Sequence, residues 1–182
     1  HIDGHFSSNL APAVGLWRDS RVESPAGGMT SMGIHALDMF IHLFGSVHTV
    51  DVQSKRIASP IDVDDSTLVR LNFSSGCTGH LTTISTTSML WRISAYCTGG
   101  WVECRDQDKL EVSSIKEGHS HETYPGFEYP ALATIQSALE SFATSIKGGA
   151  DFPITPDEIG HSTRVLTAII ESAKIGKTIS VI

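Results

Sequence analysis

The sequence predicts an α+β domain, in which a mostly antiparallel, open-faced sheet carries its helices on one face. Two observations favour this class. Segments typical of strands follow one another through the middle of the chain with short turns between them, while segments typical of helices stand apart. The regular alternation of strand and helix that marks a parallel α/β sheet does not occur in the sequence. With 182 residues, the chain is long enough for one domain with its own core.

The beginning of the chain is predicted to form one short strand and one helix. Residues 1–8 are the candidate strand, and residues 9–28 are expected to be irregular because proline and glycine recur in them. Residues 29–44 are apolar almost throughout, which is typical of a helix buried on all sides. Gly45 follows directly and is expected to end that helix.

A series of strands is predicted next. Residues 48–57 form the first, and residues 66–73 alternate between apolar and polar side chains, as a strand with one buried face does. Further strands are bounded by glycine-containing or polar turns, and these are residues 77–86, 90–97, 101–105 and 109–115. The apolar face of such a sheet needs a cover, whereas the face rich in Thr, Ser and Arg can stay in water or meet a partner.

The last part of the chain is predicted to hold a loop, two helices and a closing strand. Residues 116–129 contain glycine and proline and are expected to be a loop, and residues 178–182 suit the strand. The first helix is amphipathic, with apolar residues at Leu132, Ile135, Leu139, Phe142 and Ile146. The second should begin at Thr155 and Pro156. Its expected buried stripe consists of Ile159, Leu166, Ile169, Ile170 and Ala173.

The composition argues against several classes of protein. The net charge is −7 and the basic residues are scattered, so nucleic acid is not an expected partner. No apolar run approaches the roughly 20 residues of a membrane-spanning helix, and no signal peptide is recognisable. Cys77, Cys97 and Cys104 lack a CxxC spacing, and we expect them to be reduced thiols of a cytoplasmic protein.

Four polar residues along the predicted apolar helix are the main candidates for a site. Ser31, His35, Asp38 and His42 are spaced by 4, 3 and 4 residues and fall on one face of an ideal helix. Polar groups on a buried helix require hydrogen-bond partners or a water-filled cleft. Two interpretations therefore remain open. Either Asp38 and His42 cap a neighbouring turn and His35 is a satisfied core histidine, or His35 faces a cleft as a proton-transfer group.

Two further pairs of residues are candidates for binding. Trp17 and Arg18 could offer a stacking face and a guanidinium to a polyol or its carboxylate, or could be an ordinary exposed loop pair. His119 and His121 could contact a metal ion if both lay on a strand. They fall in the predicted loop beside Gly118 and Ser120, so we predict no metal site.

Taken together and in order, these segments resemble the C-terminal domain of the Gfo/Idh/MocA oxidoreductases. GGMTSMGIHALDMFIHLFG, residues 27–45, resembles the family signature of Gly-Gly followed by Gly-x-His-x-x-Asp. The other matching pieces are Trp17-Arg18, Asp64-Asp65 before STLVRLNF, the hairpin RISAYCTGGWVEC, and the closing PITPDEIGHSTRVLTAIIESAKIGKTISV. The resemblance implies that residues 1–182 are a single substrate-binding and oligomerisation domain. It also implies that the Rossmann domain, which binds the dinucleotide, lies outside this chain.

The resemblance further implies an NAD(P)-dependent oxidoreductase that acts on a hydroxyl-bearing carbon of a sugar, cyclitol or similar polyol. His35 corresponds to the histidine that helps to move the hydroxyl proton, and Trp17, Arg18 and Ser31 are the expected substrate contacts. NAD or NADP would be held mainly by the other domain, because the sequence contains neither GxGxxG nor GxxxxGK[ST]. This chain by itself is therefore expected to be inactive. A homo-oligomer is expected through a polar sheet face that includes Arg70, Thr82, Arg92 and Tyr96.

One departure from the family pattern keeps other hypotheses open. Ser31 stands where the family has an acidic residue, and a serine cannot raise the pKa of an imidazole by charge. The chain could instead be a non-catalytic binding or oligomerisation module that shares the fold. A third hypothesis is an unrelated α+β domain whose polar residues are structural.

Overall fold

The computed structural model describes residues 1–10, 15–124 and 130–182. These residues contain one sheet of nine strands: β1 Ile2–Ser7, β2 Val47–Lys55, β3 Ser66–Phe73, β4 Thr78–Ile84, β5 Leu90–Cys97, β6 Gly100–Arg105, β7 Lys109–Ser114, β8 Gly118–Thr123 and β9 Ile179–Ser180. The helices are α1 Ile34–Phe44, α2 Pro130–Ile146 and α3 Pro156–Ile175. A 3₁₀ turn, Trp17–Asp19, and a π-helical turn, Met29–Gly33, precede α1.

The strands lie in the order β8-β7-β6-β5-β1-β4-β3-β2-β9, and the predicted α+β class with a mostly antiparallel open sheet is confirmed. The first strand is inserted between two later ones. β1 runs parallel to β4 on one side and antiparallel to β5 on the other. Every other pairing is antiparallel among the described residues. This insertion brings the C-terminal end of β1 next to the start of β5.

The core forms where α1 and α3 cover one face of the sheet. Its fully buried side chains alternate along the central strands and meet the inner sides of both helices; they include Ile2, Leu37, Phe40, Val50, Val69, Leu71, Leu81, Val165 and Ile169. The predicted alternation in residues 66–73 is confirmed, with Thr67, Val69, Leu71 and Phe73 facing inward. Burial of these apolar groups is the main favourable term that holds helices and sheet together.

The start of α3 is the predicted one, and its predicted buried stripe is correct in part, because Ile169 is buried and Ala173 packs against the core. Thr155 and Glu158 form a capping box: the Thr155 hydroxyl accepts from the Glu158 amide at 3.2 Å, and the Glu158 carboxylate accepts from the Thr155 amide at 2.8 Å. Ile159 is 54% exposed, so its predicted burial is wrong. The buried positions are Ser162, Val165, Ala168, Ile169 and Ser172. The small side chains of Ser162, Ala168 and Ser172 allow α3 to lie close to β2. The face of α3 that contacts the sheet therefore differs in part from the predicted one.

One prediction about the remaining helices needs correction. Residues 34–44 are α-helical as expected, yet α1 is not buried on all sides, because the sheet and α3 contact only one of its faces. Met39 is 41% and Leu43 53% exposed. The predicted helix α2 is present, but its apolar stripe lacks a cover within the described chain: Leu132, Ile135, Leu139, Phe142 and Ile146 are each more than half exposed.

The loop predicted over residues 116–129 is wrong in its first half. Gly118–Thr123 forms β8, which pairs antiparallel with β7 along its whole length. Its sequence shows no alternation of apolar and polar residues, because all of its side chains are exposed and none of them needs to be apolar. Backbone hydrogen bonds to β7 hold the strand at the edge of the sheet. The second half, residues 125–129, lies outside the described residues.

The face of the sheet opposite the helices is polar. The strand register brings the predicted set, Arg70, Thr82, Arg92 and Tyr96, to this open face. Ion pairs connect neighbouring strands there, Arg70 with Asp51 and Arg92 with Asp3. The three cysteines are unbonded. In the ranges that the structure describes, no helix is both long and apolar enough to cross a bilayer.

Candidate functional site

The glycine-rich segment before α1 lies against the start of β3 and requires its glycines for steric reasons. Gly27 has a φ of +54°, and a Cβ there would lie 1.9 Å from the carbonyl oxygen of Asp64. A Cβ on Gly33 would lie 2.3 Å from the sulfur of Met29, whose side chain is completely buried. The chain therefore turns tightly against the sheet before α1 begins. The π-helical turn that results holds Ser31 beside the end of β1, and such turns are frequent at functional sites.

Together with Arg18, Ser31 lines a cavity of about 370 Å³ beside the C-terminal end of β1. Most of its other walls are apolar: Phe6, Leu10, Leu16, Met32 and Met89, with Ser8 and Asn9 adding polar groups. The Arg18 guanidinium carbon lies 4.5 Å from the centroid of the Trp17 ring, in a cation–π contact. The Ser31 hydroxyl oxygen is buried without a hydrogen-bond partner among the described residues. A buried hydroxyl without a partner beside a cavity is suited to a ligand or a water molecule.

His35 lines a second, larger cavity of about 680 Å³. Phe6 and Met89 form walls of both cavities, so the two adjoin each other. The remaining lining residues come from three separate parts of the chain: Trp91 of β5, Asp106 and Gln107 of the β6–β7 turn, and Thr134 and Ile135 of α2. The His35 ring is exposed, lies 6.2 Å from the Phe6 ring centroid to centroid, and hydrogen-bonds no described residue. Both volumes fall in the range of roughly 300–1,000 Å³ that is usual for small-molecule sites.

The structure divides the four polar residues that the sequence placed on one helix face. Ser31 belongs to the π-helical turn, so the spacing of an ideal α-helix does not apply between it and His35. No hydrogen bond among the described residues joins Asp38 to His35. His42 lies outside both cavities, with its Nδ1 3.2 Å from Oε1 of Glu158 in the first turn of α3. Hydrogen bonds from the backbone and side chain of Thr155, followed by that from His42, lower the pKa of Glu158.

The candidate binding residues are brought together in part. Arg18 and Ser31 line the same cavity, and His35 lines the adjoining one. Trp17 lines neither cavity, and its contact is with the Arg18 guanidinium. Asp106 and Gln107 were not predicted to be near His35. Both have positive φ angles, 55° and 67°, in the hairpin turn between β6 and β7. The sequence indicates this turn, but it does not indicate that the turn lies at the same end of the sheet as His35.

His119 and His121 lie on β8 and not in a loop, so their side chains project from the same side of that strand. The His119 ring lies 5.9 Å from the Trp101 ring, centroid to centroid. Among the described residues, no group of three or more His, Cys, Asp or Glu side chains is arranged to hold a metal ion.

The architecture is thus an open-faced, mostly antiparallel sheet with helices on one face and two adjoining cavities beside the end of β1. The sequence profile of the GFO/IDH/MocA C-terminal domain matches residues 1–103, and the chain belongs to this family. No curated protein matches the chain by sequence.

Solved structures with the same fold confirm the architecture. Levoglucosan dehydrogenase in complex with NADH and levoglucosan has a TM-score of 0.82 and 18% identity, over 99% of this chain and 58% of that one. An NAD-binding oxidoreductase from Klebsiella pneumoniae has a TM-score of 0.79 and 19% identity, over 100% and 58%. An oxidoreductase from Agrobacterium radiobacter, in complex with NAD+, L-tartaric acid and magnesium, has a TM-score of 0.77 and 18% identity, over 99% and 56%. The chain thus spans a little over half the length of these structures.

Proposed function

We propose that this chain is the substrate-side domain of a longer NAD(P)-dependent oxidoreductase that acts on a hydroxyl-bearing carbon of a sugar, cyclitol or similar polyol. The observation that carries the proposal is the exposed His35 imidazole in a cavity that adjoins the one lined by Arg18 and Ser31. Family membership supports the reaction class. The similar structure of levoglucosan dehydrogenase, described with NADH and levoglucosan, supports the cofactor and the kind of substrate.

In this proposal His35 moves the proton of the reacting hydroxyl. An imidazole changes charge near neutral pH, so a free ring nitrogen can accept that proton as the carbon is oxidised and return it in the reverse direction. The dinucleotide, when bound, accepts or returns the hydride. Arg18 and Ser31 bind and orient the remainder of the substrate, with Trp17 fixing the plane of the guanidinium.

The dinucleotide requires more than this chain offers. Phe6, Met89 and Trp91 give the second cavity apolar walls that suit the flat face of a nicotinamide ring. The sequence contains no glycine-rich loop for the phosphates, so a Rossmann domain elsewhere in the protein would have to hold them. We propose that this domain also covers the exposed apolar stripe of α2. The chain without it would bind no dinucleotide and would be inactive.

The open face of the sheet supports the proposed homo-oligomer. Arg70, Thr82, Arg92 and Tyr96 share this face with the acidic groups Asp3 and Asp51. Charges of both signs on one surface allow two copies to meet through the same patch, which is the arrangement a two-fold contact requires. The free thiols fit the expected cytoplasmic location.

A non-catalytic binding module is the second candidate. The observation in its favour is that no acidic side chain among the described residues hydrogen-bonds His35, so none of them fixes the orientation of its ring. Ser31, in the place of the family's acidic residue, does not supply this interaction. Such a module would bind the same small molecules without turnover.

A comparison of two histidine variants in the full-length protein separates the candidates. We expect His35→Ala to lower kcat by about 100-fold or more, as loss of a general acid–base group does. His42→Gln is the control, because His42 lies on the same helix but contacts Glu158 outside both cavities; it should change kcat less than about threefold, within the worth of an exposed ion pair. Unchanged turnover in His35→Ala contradicts the proposed role. Absence of turnover for every polyol tested with NAD+ or NADP+ favours the binding module.

A further inference from the structure

The first cavity has an unusual balance of charge for a site that would bind a neutral sugar. Of its described lining residues, Arg18 is the only ionisable one. The other walls are apolar side chains, two serines and an asparagine. Within the described ranges, no carboxylate lines this cavity to accept hydrogen bonds from hydroxyl groups, although carboxylates are well suited to that role. The cavity therefore carries a net positive charge in a protein whose net charge is −7.

Arg18 differs from the next arginine in the chain in its ionic contacts. Arg21 is 2.9 Å from Asp64 and 3.5 Å from Asp62, and the hydrogen bond to Asp64 raises its pKa. Arg18 forms no ion pair with any residue in the described part of the chain. Its guanidinium lies instead over the ring of Trp17, which holds the planar fork in place while its N–H groups remain available.

Ser31 adds a second group that requires a partner. Its hydroxyl oxygen is buried and makes no hydrogen bond to the described residues, although a buried hydroxyl normally has one. Arg18 and Ser31 border the same cavity of about 370 Å³. One molecule that carries both an anionic group and a hydroxyl would satisfy the two side chains together.

We propose that the substrate is an anionic polyol, a sugar acid or a related hydroxy acid, with its carboxylate on Arg18 and a hydroxyl on Ser31. This inference rests on the proposed function, since it names the substrate class of the same site. A guanidinium presents paired N–H donors whose geometry matches the two oxygens of a carboxylate, and such charge-assisted pairs are the stronger hydrogen bonds. A neutral sugar would leave the charge of Arg18 without compensation when it filled the cavity.

The test measures binding to the full-length protein by titration calorimetry, with pairs of ligands in which a carboxylate takes the place of a neutral group. Glucuronate and glucose differ only at C6, and a panel of hexuronates and aldonates with their neutral counterparts covers other configurations. We expect at least one anion to bind about tenfold or more tightly than its counterpart, the worth of one hydrogen bond to a charged group. Arg18→Gln should remove this advantage by weakening the binding of the anion more than that of its neutral counterpart. Arg164→Gln, which removes the same charge from α3 outside both cavities, should preserve it.

Several outcomes would overturn the inference. One is that no anion in the panel binds better than its neutral counterpart. Another is that Arg18→Gln weakens both members of a pair equally, which would mean a structural role for Arg18. Tighter binding of glucose 6-phosphate than of glucuronate would assign the site to phosphate. Turnover is measured separately and tests the proposed function. If neutral sugars are oxidised without a preference for acids, only this inference is contradicted. If acids bind preferentially but are not turned over, only the proposed reaction is contradicted.

Discussion

The backbone amide of Val47 donates a hydrogen bond of 2.8 Å to Nε2 of His161. Val52 donates in the same way to the hydroxyl of Ser172, at 3.0 Å. Both amides belong to β2, whose outer edge is paired with β9 only at Thr49 and Val50. Side chains of α3 thus accept hydrogen bonds from amides of β2 that β9 is too short to pair with. Because Nε2 must be unprotonated to accept a hydrogen bond, the native fold favours the neutral form of His161.

The first prediction is a loss of stability in mild acid that depends on His161. Burial, and to a smaller extent the charge of Arg164, lowers the pKa of His161 below its ordinary value of 6.5. Below that pH the unfolded chain binds more protons at this residue than the folded one, so the free energy of unfolding rises with pH there. The contribution is fully present above pH 6.5 and is lost as the pH falls through the folded-state pKa.

Urea unfolding between about pH 5 and 8, a window that brackets an ordinary histidine pKa, checks this prediction. The comparison is His161→Gln, whose side-chain oxygen can accept from Val47 without titrating. The wild-type protein should lose stability more steeply than the variant below pH 6.5. The pKa of His5 is also lowered, by burial first and Arg92 second, but His5 is present in both proteins and its effect cancels. Parallel pH curves for the two proteins would contradict the assignment.

The second prediction concerns Asp65, which organises the loop between β2 and β3. Asp65 is 2% exposed, and its carboxylate accepts hydrogen bonds from the amides of Ile57 at 3.0 Å and Ala58 at 2.6 Å, and also from that of Ser59. Asp65→Ala would leave these amides without their acceptor. We expect it to lower the free energy of unfolding by at least about 2 kcal/mol. Chemical denaturation measures the change.

Asp62→Ala is the matched control for Asp65. The Asp62 side chain is 75% exposed, and its ion-pair partners in the described part of the chain are Arg21 and Arg56. Exposed ion pairs contribute little, so this variant should lose less than about 1 kcal/mol. Equal losses in the two variants would mean that the backbone hydrogen bonds of Asp65 do not stabilise the fold.

The sequence was sufficient to predict α1, the capped start of α3 and most of the strands, because each has a local signal such as Gly45, Thr155 or the alternation in residues 66–73. It was not sufficient for the site. The walls around His35 come from β1, β5, the β6–β7 turn and α2, and the insertion of β1 between β4 and β5 has no local signal. The π-helical turn at Ser31 depends on packing against the sheet, so the spacing of an ideal helix does not hold between Ser31 and His35. His42 follows His35 by two helical turns, about 10 Å along the axis, and it contacts α3 and not the cavities.

The third prediction concerns Gly27, where a side chain would be disfavoured both by the backbone conformation and by a steric clash. Its φ of +54° is unfavourable for any residue with a Cβ, and a Cβ would also lie 1.9 Å from the carbonyl oxygen of Asp64. Gly76, in the β3–β4 turn, has a φ of +85° with open space around it. Gly76→Ala should cost about 1–2 kcal/mol, the price of a left-handed conformation. Gly27→Ala should cost clearly more, and equal losses in chemical denaturation would argue against close packing at Asp64.

The last prediction concerns the apolar stripe of α2. Leu139 is 64% exposed, so Leu139→Ser should change the stability of the 182-residue chain by less than about 0.5 kcal/mol, as surface substitutions do. If a dinucleotide-binding domain covers the stripe in the longer protein, the same substitution there should cost about 1.5–3 kcal/mol, the value of burying a leucine. Ile115→Ser, at a residue 79% exposed after β7, should be silent in both proteins. Hydrogen exchange should likewise show α2 less protected than α3 in this chain, and protected in the longer one. A silent Leu139→Ser in both proteins would mean that the second domain does not cover α2.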